Sequence, residues 1–198
     1  INAGGYLITH MVEQTKTPAT DDLALARNAL ADEDAFAELY RQYVTRVYRY
    51  HMAHTGNVKD AEDLTSQTFI SALEGLKSYR GDGSFAAWIL GIALKKRLMF
   101  FRGRKPEIPL DDALHLPSPS LPTDRAAYQR LRLESLARAL KTIPADRAEA
   151  VVLSYFGGLS NQEIGAALHK SEAAVKMLVS RGLQDLRERT SLKMEVEL

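Results

Sequence analysis

Apolar residues recur at helical spacing through most of this chain. From Asp32 onward, Phe36, Leu39, Tyr40, Tyr43, Val44, Val47 and Tyr48 mark one face of a long α-helix. Asp32, Glu33 and Asp34 stand at its start, where carboxylates can accept from free amides and favour the helix dipole. Leu23, Leu25 and Leu30 predict a weaker helix before it, and Thr55-Gly56-Asn57 a turn after it. A second long helix starts between Val58 and Asp60. Ala61, Leu64, Phe69, Ala72, Leu73 and Leu76 form its expected buried stripe, and Asp60, Glu62, Asp63 and Gln67 its polar face. Tyr79-Arg80-Gly81-Asp82-Gly83-Ser84 then reads as a tight glycine loop, with Ser84 placed to cap a third helix. Phe85, Trp88, Ile89, Ile92 and Ala93 are the apolar positions of that helix.

The third helix ends in a basic run, Lys95, Lys96, Arg97, Arg102, Arg104 and Lys105, which no acid interrupts before Glu107. Leu98, Met99, Phe100 and Phe101 are interleaved with it, so the apolar side is expected to pack inward and the cations to face out. Five of the seven prolines then fall at 106, 109, 117, 119 and 122. Proline has no amide donor and resists helix, so this stretch reads as an extended linker. Beyond it, Leu131, Leu133, Leu136, Leu140 and Ile143 predict a helix that breaks at Pro144. A short apolar helix follows over Ala148–Phe156, stopped by Gly157-Gly158. No segment alternates as a strand does. The expected fold is therefore all-α, with two small helical domains joined by the proline-rich linker. The parts are a foreign or irregular start over 1–22, a first domain over 23–105, the linker over 106–125, a second domain over 126–191 and a tail over 192–198.

Composition narrows the class only a little. Of the 198 residues, 45% are hydrophobic and 26% charged, ordinary for a globular chain, and the formal net charge is +1. A nucleic-acid partner is thus signalled by where the cations sit rather than by their sum. Cysteine is absent, which excludes disulfides and thiolate metal sites within the chain and suits a reducing cytoplasm. No apolar run approaches the ~18 residues a transmembrane helix needs, so no membrane insertion is expected. His10-Met11 reads as a cloning junction, which would make Met11 the native start.

The most informative stretch is Leu159–Arg189. Ser160 and Glu163 form a capping box, Ile164, Ala167 and Leu168 face inward, and His169-Lys170 make a turn. Ser171 caps a second helix whose inward residues are Val175, Leu178, Val179, Leu183 and Leu186. Glu172, Ala173, Lys176, Ser180 and Arg181 are left outside. A helix that enters a DNA groove needs small or polar side chains near its start and cations behind them. The plain alternative is a helical hairpin in a core. For the basic run the alternatives are a solvated helix end or strand binding, in which cations hold the backbone and rings stack on bases. The acidic face at Asp60, Glu62 and Asp63 lacks any sign of the cleft that paired catalytic carboxylates require. His51 and His54 have the spacing of a two-histidine metal motif, but surface histidines share it. Walker, dinucleotide, metalloprotease and nucleophile-elbow motifs are all missing.

Three linked stretches, DAEDLTSQTFISAL at 60–73, SYRGDGSFAAWILGIA at 78–93 and LSNQEIGAALHKSEAAVKMLVSRGLQDLR at 159–187, resemble in their order a bacterial RNA polymerase sigma factor of the extracytoplasmic-function group. The resemblance covers about residues 30–190. It implies a non-enzymatic, cytoplasmic initiation factor, without cofactor or metal, that binds core polymerase and promoter DNA. Asp60, Ala61, Glu62, Asp63, Leu64, Gln67 and Phe69 would meet the clamp helices of the largest subunit, with a further contact to the β flap. Tyr79, Arg80, Gly81, Asp82, Gly83, Ser84 and Phe85 would receive a flipped minus-ten base, braced by Trp88. Lys95, Lys96, Arg97 and Arg102 would hold the opened strand. Ser160, Ser171, Glu172, Ala173, Lys176, Ser180 and Arg181 would read the minus-thirty-five duplex. An anti-sigma partner is implied as well. The chain departs from the family pattern at Lys95, Met99, Met177, Leu178 and Leu183, where asparagine, an acid, serine, arginine and arginine are common. The alternative from another class is a stand-alone helix-turn-helix regulator of duplex operators.

Overall fold

The computed structural model describes the backbone of residues 22–103 and 125–196 and the side chains of 22–103 and 130–189. Residues 1–10, read above as foreign, and the linker prolines lie outside that description, as do Arg104 and Lys105. The described residues form eight α-helices and no strand. In chain order they are α1 (Asp22–Asn28), α2 (Glu33–Thr55), α3 (Val58–Gly75), α4 (Phe85–Gly103), α5 (Arg125–Leu140), α6 (Ala145–Tyr155), α7 (Asn161–Leu168) and α8 (Glu172–Val196). A 3₁₀ turn, Leu76–Ser78, follows α3. The last helix continues to Val196, through the stretch expected to be a tail.

The helix ends follow local chemistry. The Asp32 carboxylate accepts from the Asp34 amide at 3.0 Å and starts α2. Gly56 ends it with a left-handed φ of 67°, which a side chain would disfavour. Asn57 caps α3 through the Asp60 amide, and Ser84 caps α4 through the Ala87 amide at 3.1 Å. Leu39, Val47 and Tyr50 of α2 are fully buried against α3 and α4, with Leu64, Phe85, Ile89 and Leu90. Each such aliphatic side chain contributes about 1.5–3 kcal/mol by leaving water.

The expected buried stripe after Val58 holds at Ala61, Leu64, Phe69, Ala72 and Leu76 and fails at Leu73. Leu73 is 52% exposed and Ile70 58%, while Thr65 and Thr68 point inward. Each threonine satisfies its hydroxyl on the carbonyl one turn back, Thr65 on Ala61 at 2.6 Å and Thr68 on Leu64 at 2.7 Å. A self-satisfied threonine can therefore occupy an apolar face, which a count of hydrophobic positions misses. Tyr40 and Leu131, also expected inward, are exposed.

The two expected domains do not stand apart. α5 and α6 pack on α2, α7 packs on α4, and one apolar cluster runs from Ala26 to Leu186. A Cβ on Gly56 would lie 3.2 Å from the Ala137 Cβ, so the turn after α2 is pressed against α5.

Candidate nucleic-acid interface

The helix-turn-helix is built around backbone proximity. The Ser160 hydroxyl accepts from the Glu163 amide at 3.2 Å, and the Glu163 carboxylate accepts from the Ser160 amide at 2.8 Å. His169 closes α7 in the left-handed region at φ 54°. The turn then doubles back so tightly that a Cβ on Gly165 would sit 2.6 Å from the Lys170 carbonyl oxygen. Gly165 was not among the positions that the sequence pattern singled out. Ser171 caps α8 through the Ala174 amide at 3.2 Å. Val175 and Leu186 are buried, and Arg147 of α6 holds the other side of α8 through Asp185 at 2.6 Å. Ser171, Glu172, Ala173, Lys176, Met177, Ser180 and Arg181 are all exposed. All but Arg181 form a solvent-facing stripe at helical spacing, with Arg181 at its margin. Ser160, in contrast, spends its hydroxyl on the cap.

The glycine loop is braced from beneath by rings. Tyr79, Phe85 and Trp88 lie with centroids 5.3–5.4 Å apart, and Tyr43 packs on Phe85 at 5.0 Å. Phe85 is buried and Tyr79 and Trp88 are half-buried, so these three hold the loop from within. The Tyr79 hydroxyl donates to the Gly83 carbonyl at 3.0 Å and closes the loop. Gly81 has φ 79°, and a Cβ there would meet the Leu23 side chain at 2.7 Å, so α1 supports the loop from outside. Arg80, Asp82, Gly83 and Ser84 form the exposed rim.

The basic end of α4 differs from its expected orientation. Lys95 and Arg102 are exposed and Lys96 is half-buried. Arg97 is turned inward, with its side chain 16% exposed. Leu98, Met99 and Phe101 are on the outside. The cause is Glu149 of α6, a buried carboxylate that accepts from Arg97 Nη2 at 2.6 Å and from the Tyr50 hydroxyl at 2.9 Å. Arg97 Nε also donates to the Tyr50 hydroxyl at 3.1 Å. Burial pushes the Glu149 carboxyl up, and Arg97 opposes that shift.

His51 and His54 line the same region and are not surface histidines. His51 is buried, with Nε2 3.0 Å from the Thr68 hydroxyl. Burial, then the charge of Arg97, pushes it down to about 3 and lowers His54 as well. His54 Nε2 is 3.5 Å from Glu149, too long for a good hydrogen bond, and Arg97 takes the carboxylate. Both imidazoles are therefore neutral. No group of three or more His, Cys, Asp or Glu suited to a metal occurs among the described residues.

On α3, Asp60, Glu62, Asp63 and Gln67 face solvent or its edge, whereas Ala61, Leu64 and Phe69 are core residues. Ile70 and Leu73 extend the outer face with apolar surface that the sequence pattern had assigned inward or passed over. No described helix is long and apolar enough to cross a membrane.

Comparison with known proteins matches residues 39–107 to the family model of sigma-70 region 2 and residues 133–186 to that of sigma-70 region 4. The chain is 34% identical over 181 residues to the ECF RNA polymerase sigma factor SigE of Mycolicibacterium smegmatis, covering 89% of this chain and 70% of that one. Among solved structures, CnrH in complex with the cytosolic domain of CnrY superposes with a TM-score of 0.69 at 23% identity, over 87% of this chain and 99% of that one. The sigma factor RpoE of Bartonella quintana, in complex with the anti-sigma factor NepR, gives 0.61 at 23% identity, over 77% and 94%. These two likenesses establish the shared helical fold.

Proposed function

The chain belongs to the sigma-70 family, in the extracytoplasmic-function group of RNA polymerase sigma factors, and from that premise we propose how its residues divide the work of promoter recognition. Core polymerase docks on the outer face of α3. There Asp60, Glu62, Asp63 and Gln67 meet basic residues of the clamp helices, and the exposed Ile70 and Leu73 add apolar contact. The loop over Tyr79–Ser84 receives a base flipped from the non-template strand. Extrusion costs a few kcal/mol of stacking, and a loop already braced by Phe85 and Trp88 offsets it without first having to order itself. Lys95, Lys96, Arg97 and Arg102 hold the opened strand. The stripe Ser171, Glu172, Ala173, Lys176 and Ser180, with Arg181 beside it, lies in the minus-thirty-five major groove, while α7, with Ser160 at its start, crosses the backbone.

The observation that carries this reading is the presence, in one chain, of a helix-turn-helix with a solvent-facing stripe and an aromatic-braced glycine loop leading into a basic helix. The factor works where core polymerase is, in the cytoplasm, and catalyses no reaction of its own. Two fold neighbours are held by partner proteins, CnrY and NepR, which supports an anti-sigma partner here also. The two recognition units, 23–105 and 126–191, act at separate promoter elements through the linker.

Reconstitution with core polymerase tests the reading. The purified chain is expected to support initiation at a cognate promoter, and reversing Asp60 and Asp63 to lysine is expected to abolish core binding while leaving duplex binding by the helix-turn-helix intact. Loss of both together would sink the assignment of α3.

A further inference from the structure

Met177 is out of character with its surroundings on α8. It is 51% exposed, in the second turn of the helix, on a face otherwise made of small and polar side chains. Two close contacts fix how α8 is rolled. Val175 is fully buried, and a Cβ on Gly182 would lie 2.7 Å from the Val151 side chain of α6 and 3.1 Å from the Arg147 carbonyl oxygen. At about 100° per residue, Val175 and Gly182 point the same way to within roughly 20°. Met177 then points about 160° away from Val175. It cannot turn into the core unless α8 lifts off α6.

The same geometry orders the rest of the face. Ala173, Met177 and Ser180 lie along its crest, within about 40° of the direction opposite Val175. Lys176 and Arg181 stand on opposite flanks of that crest, and all five residues are exposed. A helix laid in a major groove puts its crest against the base edges and its flanks toward the phosphate backbones. The two cations are therefore where phosphates run, and the crest carries no charge. An alanine methyl offers no hydrogen bond and a thioether only a weak acceptor, so Ala173 and Met177 are unsuited to reading bases by hydrogen bonding. The apolar group that bases present in the major groove is the 5-methyl of thymine.

We propose that Met177 is a specificity residue that selects thymine in the minus-thirty-five element, by packing its side chain on the 5-methyl group, with Ala173 extending the same apolar contact one turn earlier. The inference rests on the reading that α8 lies in that groove. Methionine is unbranched and has three rotatable bonds, so its thioether can follow a methyl group across the groove floor. Binding then gives Met177 the burial that the fold denies it. Sequence choice falls to the crest, and phosphate contact to Lys176 and Arg181 on the flanks. Met177 is also a position at which the chain departs from the family pattern, so the thymine preference is this chain's own.

The test uses the holoenzyme, formed from the full chain and core polymerase, on a promoter library randomised across the minus-thirty-five element. The parent is expected to select an A·T pair at a fixed position, and the Met177→Ala holoenzyme to lose that preference while keeping the rest of the consensus. Replacing the thymines of the selected element by deoxyuridine keeps every base pair and removes only the 5-methyl groups. This exchange is expected to weaken parent binding about fourfold for each methyl contacted, and to leave Met177→Ala binding unchanged. Met177 lies on the surface, so the variant is expected to keep the parent's thermal midpoint. An equal loss on deoxyuridine in parent and variant would overturn the proposal, because the methyl groups would then be read elsewhere. A selected element without thymine on either strand would overturn it as well. A library that yields no consensus at the element removes the reading of α8 itself, and the proposal with it. A consensus that the parent binds equally with deoxyuridine leaves that reading standing and removes Met177 from it.

Discussion

The helix-turn-helix presents Glu172, Ala173, Lys176 and Ser180 to solvent along the first turns of α8, already capped and already aimed. The surface proposed to take the minus-ten strand presents its loop rim and Lys95, but its Arg97 is turned into Glu149 and its Ser84 is tied to Glu163. One region is thus complete as folded and the other is partly filled by its own chain. The difference fits the target proposed for each. A duplex offers a groove of fixed shape, which a rigid helix can match in advance. A single strand exposes phosphates and bases only after melting, and a cationic surface left open for it would also take up any other nucleic acid.

The rigid side of this comparison should break most sharply at Gly165. A Gly165→Ala change puts a methyl against the Lys170 carbonyl, with backbone rather than a movable side chain in the way. A cost of about 3 kcal/mol is expected, seen as a lowered thermal midpoint and loss of minus-thirty-five duplex binding. Binding of the single strand in the holoenzyme should change less.

The buried junction between the regions responds to pH. Folded His51 and His54 are held neutral, His51 down to about 3, while in the unfolded chain both titrate near 6.5. The unfolded state therefore takes up protons first, so stability present above pH 6.5 is lost as pH falls from there toward the folded values. Between pH 7.5 and 5.5 the pair is expected to cost about 2–3 kcal/mol. The double variant His51→Gln with His54→Gln should show a flatter dependence in denaturant titrations at the two pH values. An equally steep one would assign the effect elsewhere. Glu149, with its carboxyl pushed up, acts with the opposite sign, and the variant comparison separates the two.

Smaller effects sharpen the contrast. Ser160→Ala removes one half of the capping box and is expected to cost about 1 kcal/mol of stability, while leaving the α8 stripe in place. Lys176→Ala should leave the thermal midpoint unmoved and reduce the salt slope of duplex binding by about 0.9, one released counterion. An unchanged slope would mean that Lys176 faces water and no phosphate.

Much of this was legible in the order of residues. Helix starts at Asp32, Ser84, Ser160 and Ser171 depend on a side chain bonding an amide two or three positions on, which is a local event and so is written locally. The helix-turn-helix, the glycine loop and the acidic outer face of α3 follow from the same short-range rules. The errors lie where a residue's fate depends on a distant partner. Thr65 and Thr68 took the inward face and Leu73 the outer one. His51 and His54 became core groups, and Arg97 turned in while Leu98, Met99 and Phe101 turned out.

The sequence by itself determined most of the helices and their caps, because periodicity and capping act within a turn or two of the chain, and the order of its three motifs resembled the family to which the chain belongs. Only the tertiary structure decided that the two units close on each other, and that the price of a buried carboxylate is met by one arginine and one tyrosine, 52 and 99 residues away. A charge is read from sequence as outward because hydration favours water by default. It turns inward only where a counter-charge waits, and no local pattern records where that partner will be.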